Sequence, residues 1–216
     1  MLTKITELLA GLFRLLLGTS DSGYVPQNWS PRQRPPAIPD LAPAAKPLEV
    51  VPDQKLVRHT VYQLTTTNNA ALQDQNRRIT PEQIAKLMEV DALLAQAEDL
   101  IGKKLVVNSG YRCPELNAKT PGSATHSQHL LCEAGDVHED GSADTAAGVE
   151  DAFQKLWKAG RDGKFKFGQL IVETAQRSYG RVFWLHVSLG APHRGPARCG
   201  QVMRMENGKY TLIGKV

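Results

Sequence analysis

Apolar and polar positions fall into three regimes along the chain. Between Met1 and Gly18, Ile5, Leu8, Leu9, Leu12, Phe13 and Leu16 recur at helical spacing, with Lys4, Glu7 and Arg14 among them. That period predicts an amphipathic helix over residues 1–18. From 19 to 54 no period survives, and eight of the thirteen prolines lie between Pro26 and Pro52. Each proline fixes φ and removes a backbone donor, so this stretch reads as an extended, semi-rigid linker. Helical and alternating patterns return from 55 to 216, enough chain for one globular domain with its own core.

Inside that domain, Thr80, Pro81 and Gln83 form a capping box with proline at the first helical position. Ile84, Leu87, Met88, Val90, Leu93, Leu94 and Leu100 supply the expected buried stripe, and Gly102 ends the helix. "KLVVNS" predicts a short strand running to Ser109. "DTAAGVEDAFQKLWKAG" predicts a second amphipathic helix, between Asp144 and Gly160. "QLIVE" and "FWLHVSL" read as strands, and Asn207-Gly208 between alternating residues predicts a hairpin. The order of elements implies a small α+β domain in which helices pack on an antiparallel sheet.

Composition narrows the function classes without choosing one. The net charge of +4 suits an anionic polymer, but there is no Lys/Arg block of the kind that marks a nucleic-acid arm. Three cysteines (Cys113, Cys132, Cys199) include no CxxC pair, which argues against a disulfide scaffold or a cysteine-rich zinc module, although one bridge stays open. Arg14 interrupts an N-terminal apolar run that is already too short to span a bilayer. It also spoils the apolar core of a signal peptide. Docking to a partner protein assembly, lying on a membrane surface, an atypical signal and a plain cap on the core remain open for residues 1–18.

The candidate chemistry sits in two stretches. In "FWLHVSL", alternation puts Phe183, Leu185, Val187 and Leu189 on a core face, and Trp184, His186 and Ser188 on the other. A histidine between Trp and Ser belongs to a wall open to solvent or ligand. "THSQHLLCEAGDVH" holds three histidines and a cysteine; if "EAGDVH" is extended, Asp136 shares a face with Ala134 and His138. His129, Asp136 and His186 then offer two imidazoles and one carboxylate, the three protein ligands a catalytic zinc needs if a fourth position is to stay free.

"SGYRCPELNA" (Ser109–Ala118), "SQHLLCEAGD" (Ser127–Asp136), "QLIVE" (Gln169–Glu173) and "WLHVSL" (Trp184–Leu189), in that order, resemble the LAS-type zinc peptidases. That family includes D-Ala-D-Ala carboxypeptidases and phage endolysins that cut L-alanyl-D-glutamate or related wall peptide bonds. The resemblance covers about residues 55–190. It implies one Zn2+ per chain held by His129, Asp136 and His186, and a peptidoglycan peptide as substrate. It also places Arg112 at the active site, where a planar guanidinium suits a substrate carboxylate or a developing oxyanion. Ser127, Gln128 and Trp184 become candidate substrate-contacting residues, with a local backbone cap as the alternative for Ser127. An enzyme of this kind works at the bacterial cell wall or periplasm, or is carried by a virion.

Two departures from the family pattern stand out. Cys132 occupies a position where the family usually has glycine, and His-x-x-Cys is itself a ligand spacing. Many members place the catalytic glutamate three residues before the last histidine, where this chain has Phe183. The substitute is Glu173, on a strand face with Gln169 and Ile171; its alternative is a salt bridge at a strand end. Glu133 should alternate away from Asp136 into solvent, and His126 and His138 read as polar surface residues. In the expected mechanism Glu173 takes a proton from the attacking water and Arg112 holds substrate charge. No GxSxG elbow is present to supply a protein nucleophile. The competing reading is a virion or wall-binding component whose peptidase-like domain does not cut.

Overall fold

The computed structural model describes residues 48–141, 145–193, 195 and 199–216. The amphipathic helix expected over 1–18, and the expected linker as far as residue 47, lie outside the described residues. Lys46–Val216 form one compact unit. Its elements are α1 (Val61–Leu64), α2 (Gln73–Asn76), α3 (Pro81–Ile101), β1 (Leu105–Ser109), α4 (Pro114–Lys119), β2 (Ala134–Glu139), α5 (Ala146–Arg161), β3 (Gln169–Arg177), β4 (Gly180–Ser188), β5 (Gln201–Glu206) and β6 (Lys209–Lys215). Short 3-10 turns stand at Ala70–Leu72 and Gln128–Leu131. The fold is α+β, with six strands in the order β1-β2-β4-β3-β5-β6. Every neighbouring pair is antiparallel except β3 and β5, which run parallel. β5 departs from a purely antiparallel expectation because the chain crosses over after β4 and returns beside β3.

Local signals explain the main elements. Thr80 and Gln83 exchange the two hydrogen bonds of a capping box at the start of α3, and Gly102 ends that helix in the left-handed region. Thr145 accepts the Gly148 N–H at the start of α5. Asn207 and Gly208 both have positive φ, as a tight two-residue hairpin between β5 and β6 requires. α3 and α5 pack together, and α5 also meets β2, β3 and β4. Val137, Leu170, Val172, Leu185 and Val187 join the helices' Leu87, Val90, Leu94, Phe153 and Leu156 in one core. Met88, expected in the buried stripe, is 48% exposed.

The opposite sheet face stays open and forms the wall of a broad cleft of about 1330 Å³. Period-2 alternation makes the division: in β4, Leu185 and Val187 enter the core while Trp184 and His186 face the cleft.

Residues just before 55 already belong to the domain. The Val51 N–H donates to the Arg77 carbonyl, and Asp53 accepts the Tyr62 N–H at α1. Asp91, fully buried on α3, accepts the N–H groups of Val57, Arg58 and His59 and contacts His59 Nδ1 at 2.6 Å. This buried carboxylate pins the entry segment to the long helix, a role that apolar periodicity does not reveal.

Candidate metal centre

Asp136 of β2 stands directly opposite His186 of β4 in an antiparallel register. Residues so paired project to one face, so both side chains enter the cleft. His129 arrives from the 3-10 turn Gln128–Leu131, which Ser127 starts by accepting the His129 N–H. Ser127 is therefore the local cap that the sequence left as an alternative, and it also lines the cleft. All three candidate ligands are buried: His129, Asp136 and His186 are 2%, 6% and 6% exposed.

The hydrogen bonds around the two imidazoles decide which nitrogens carry the protons. His129 Nδ1 lies 2.6 Å from the Gly110 carbonyl, which can only accept, so Nδ1 carries the proton and Nε2 keeps its lone pair. His186 Nε2 lies 2.9 Å from Gln128 Oε1, so it donates there and leaves Nδ1 as the lone-pair atom. Those two atoms are 3.3 Å apart. Asp136 Oδ1 lies 3.2 Å from His129 Nε2 and 2.9 Å from His186 Nδ1. Three electron-pair donors thus converge with their protons turned outward, an arrangement that asks for a cation among them. A tetrahedral ion with bonds of about 2.0–2.2 Å separates its ligand atoms by roughly 3.3 Å, close to these spacings. The donor set fits zinc.

Electrostatics favour the same form. Burial holds His129 below its ordinary pKa, with Asp136 working against that effect. Burial would raise the Asp136 carboxyl, but the imidazoles beside it, His129 first and then His186, outweigh that effect and hold the group well below the usual carboxylate range. Arg112 Nη2 donates to Asp136 Oδ2 at 2.9 Å, and its Nε donates to Ser109 Oγ at 3.0 Å. One carboxylate oxygen is thereby held by Arg112 while the other points at the histidines. Ser109 reaches this position through a register shift in the β1–β2 pairing.

Gly110 connects the metal centre to the core. A Cβ there would meet the Leu64 carbonyl oxygen at 2.2 Å, so only glycine lets the two backbones approach. Its own carbonyl then receives the His129 proton, which assigns a task to the glycine of "SGYR" that the sequence reading missed.

Glu173 lies on the cleft face of β3, paired with Trp184 and two residues along from Ile171, which pairs with His186. Burial, and then the nearby Asp136 charge, push its carboxyl up to about 6. The Tyr210 hydroxyl donates to Glu173 Oε1 at 3.3 Å. Trp184 also lines the cleft, and its indole Nε1 is buried with no hydrogen-bond partner among the described residues. Phe183, at the position where the family often has glutamate, packs against the core.

The remaining candidates fall outside the donor set. Cys132 is buried in the core, its thiol pushed up to about 12 by burial, and it is not part of the His129–Asp136–His186 group. It takes the left-handed conformation, φ 56°, where the family has glycine. Glu133 corrects the expectation of solvation: it is 5% exposed and pairs with Lys86 at 3.0 Å. His126 is exposed and lines the outer cleft, whereas His138 is half-buried and meets Asn108. Cys113 and Cys132 carry free thiols, and the Cys199 thiol donates to the Gly195 carbonyl at 3.7 Å.

No curated protein and no solved structure matches the chain. Residues 58–161, however, match the family model described as Peptidase M15. That segment carries Arg112, His129 and Asp136; β3 and β4 add Glu173 and His186 from outside it. By that match residues 58–161 are similar to the peptidase M15 family of zinc peptidases.

Proposed function

We infer that this domain hydrolyses peptide bonds in bacterial peptidoglycan. The observation that carries the reading is the convergence of three unprotonated donor atoms at the wall of an open cleft, with Glu173 on the same sheet face. His129 Nε2, Asp136 Oδ1 and His186 Nδ1 would hold the zinc. When bound, it supplies Lewis acidity at the scissile carbonyl. Glu173 accepts a proton from the attacking water and returns it to the leaving amine. Arg112, fixed by Asp136 and Ser109, presents positive charge to the substrate carboxylate or to the oxyanion that forms. Gln128 orients His186, and Trp184 offers an aromatic wall beside Glu173.

The place of action is the cell wall or periplasm, with delivery on a virion consistent with a tethered N-terminal segment. Phe183 in the usual glutamate position favours a second reading, a wall-binding or virion component that does not cut. Incubation of the zinc-loaded full chain with purified cell wall separates the two. Release of new amines, with products identified by mass spectrometry, is expected for the peptidase. Wall binding without release in both the native chain and Glu173→Gln would establish the second reading.

A further inference from the structure

Register rows run across the cleft face of the sheet. One carries Asp136, His186, Ile171, Met203 and Leu212 on β2, β4, β3, β5 and β6. The next carries Trp184, Glu173, Met205 and Tyr210 on β4, β3, β5 and β6. Glu173 and Tyr210 are therefore two strands apart, about 9–10 Å at the spacing of adjacent strands. Glutamate and tyrosine are both long enough to meet over Met205, and their oxygens do so at 3.3 Å. A phenylalanine at 210 would fill the same space without the contact.

We propose that Tyr210 is a positioning residue for the reaction, its hydroxyl holding Glu173 Oε1 so that Oε2 is directed at the attacking water. Tyr210 is 48% exposed, yet partial burial of its phenol and the neighbouring Glu173 raise that group above its ordinary pKa, so it keeps its proton and acts as a donor. The Asn207-Gly208 hairpin sets the reach, because it fixes Tyr210 opposite Met205. The β5–β6 hairpin thus completes a site whose donors lie on β2, β4 and the 3-10 turn. This assignment rests on Glu173 being the base.

Tyr210→Phe, made in the zinc-loaded full chain alone and together with Glu173→Gln, tests it. Expected are a fall in kcat of roughly 10-fold, the loss of one hydrogen bond to a charged group, with KM and zinc content unchanged. In the Glu173→Gln background the same substitution should have no further effect on kcat. Equal losses in both backgrounds would overturn the proposal, since Tyr210 would then not act through Glu173. A readout independent of hydrolysis is the carboxyl 13C resonance of Glu173 in zinc-free protein. Its titration should move to higher pH in Tyr210→Phe, because a donor to the carboxylate has been removed; an unmoved titration overturns the proposal even if the native chain hydrolyses wall peptides. Absence of hydrolysis in the native chain together with a moved titration would sink the peptidase reading and leave the Tyr210–Glu173 link standing.

Discussion

Asp136 Oδ1 and His186 Nδ1 lie 2.9 Å apart across the β2–β4 pair, and neither atom keeps a proton for the other. Removing one should therefore abolish metal binding. His186→Ala is expected to fall from one zinc per chain to none by metal analysis. Zinc at 1,000 times its dissociation constant should raise the melting temperature of the native domain by about 10 °C. The variant should show no such rise. Full occupancy in His186→Ala would refute the donor set.

Glu173 is a group whose burial works against its charge. Its carboxyl is raised from 4.5 to about 6 in the fold, so ionising it there costs stability. The cost is absent below the unfolded pKa near 4.5, grows between 4.5 and 6, and is complete above 6. Glu173→Gln in metal-free protein should therefore melt higher than the native chain above pH 6 and equally below pH 4.5. The zinc-loaded variant should lose hydrolysis by roughly 10² to 10⁴. In the native enzyme activity should fall on the acid side at or below about pH 6, since a bound cation favours the carboxylate. Full activity of Glu173→Gln would show that another group is the base.

Cys132→Gly sets two small effects against each other. Glycine occupies the left-handed region without the roughly 1–2 kcal/mol of strain that a side chain brings there. Emptying the buried side-chain space and loosening the unfolded chain cost a similar amount. Zinc stoichiometry should be unchanged and the melting temperature should move by only a few degrees. Loss of zinc would make Cys132 a ligand.

The His59–Asp91 pair predicts a stability window. Burial lowers His59, but the hydrogen bond its ring donates to Asp91 more than offsets it and the net pKa is raised above 6.5. Its contribution is full below pH 6.5 and fades as pH rises through the folded value. Burial raises Asp91, yet His59 and the backbone N–H groups of Arg58 and His59 bring it below 3.8. That contribution is full above 3.8 and is lost as pH falls through the lowered value. Between about pH 4 and 6.5 both are present. Asp91→Ala, which strands His59 and three N–H groups, should cost about 3–5 kcal/mol in denaturant unfolding at pH 5–6. A loss below 1 kcal/mol would show that the anchor is unimportant.

Because Val51 and Asp53 hydrogen-bond into the domain, the folded unit extends past the expected boundary at 55. A chain beginning at Lys46 should keep the full melting temperature and activity, whereas one beginning at residue 55 should melt several degrees lower. Equal melting of the two would remove the role assigned to those contacts.

Much of this was legible in residue order. The capping box at Thr80, the stop at Gly102 and the Asn207-Gly208 turn are local, so a few neighbouring residues suffice to specify them. Alternation in "FWLHVSL" likewise announces a core face and a cleft face, because side chains on a strand alternate whatever the strand packs against. Resemblance to a zinc peptidase named His129, Asp136 and His186 as the ligands.

The remainder depended on which strands became neighbours. Local patterns do not reveal that Asp136 faces His186, that β5 runs parallel to β3, or that Tyr210 reaches Glu173 over Met205. Register is set by long-range pairing, and shifting a strand by one residue would send the opposite side chains into the cleft. The same holds for charge: Glu133 reads as a solvated acid until Lys86 comes to meet it, and no local pattern marks Asp91 as the acceptor for the backbone of residues 57–59. Sequence alone supplied the zinc-peptidase resemblance, the two long helices of the domain and the two faces of β4. Only the tertiary structure decided which lone pairs converge, because that depends on distances between residues as far as 57 positions apart.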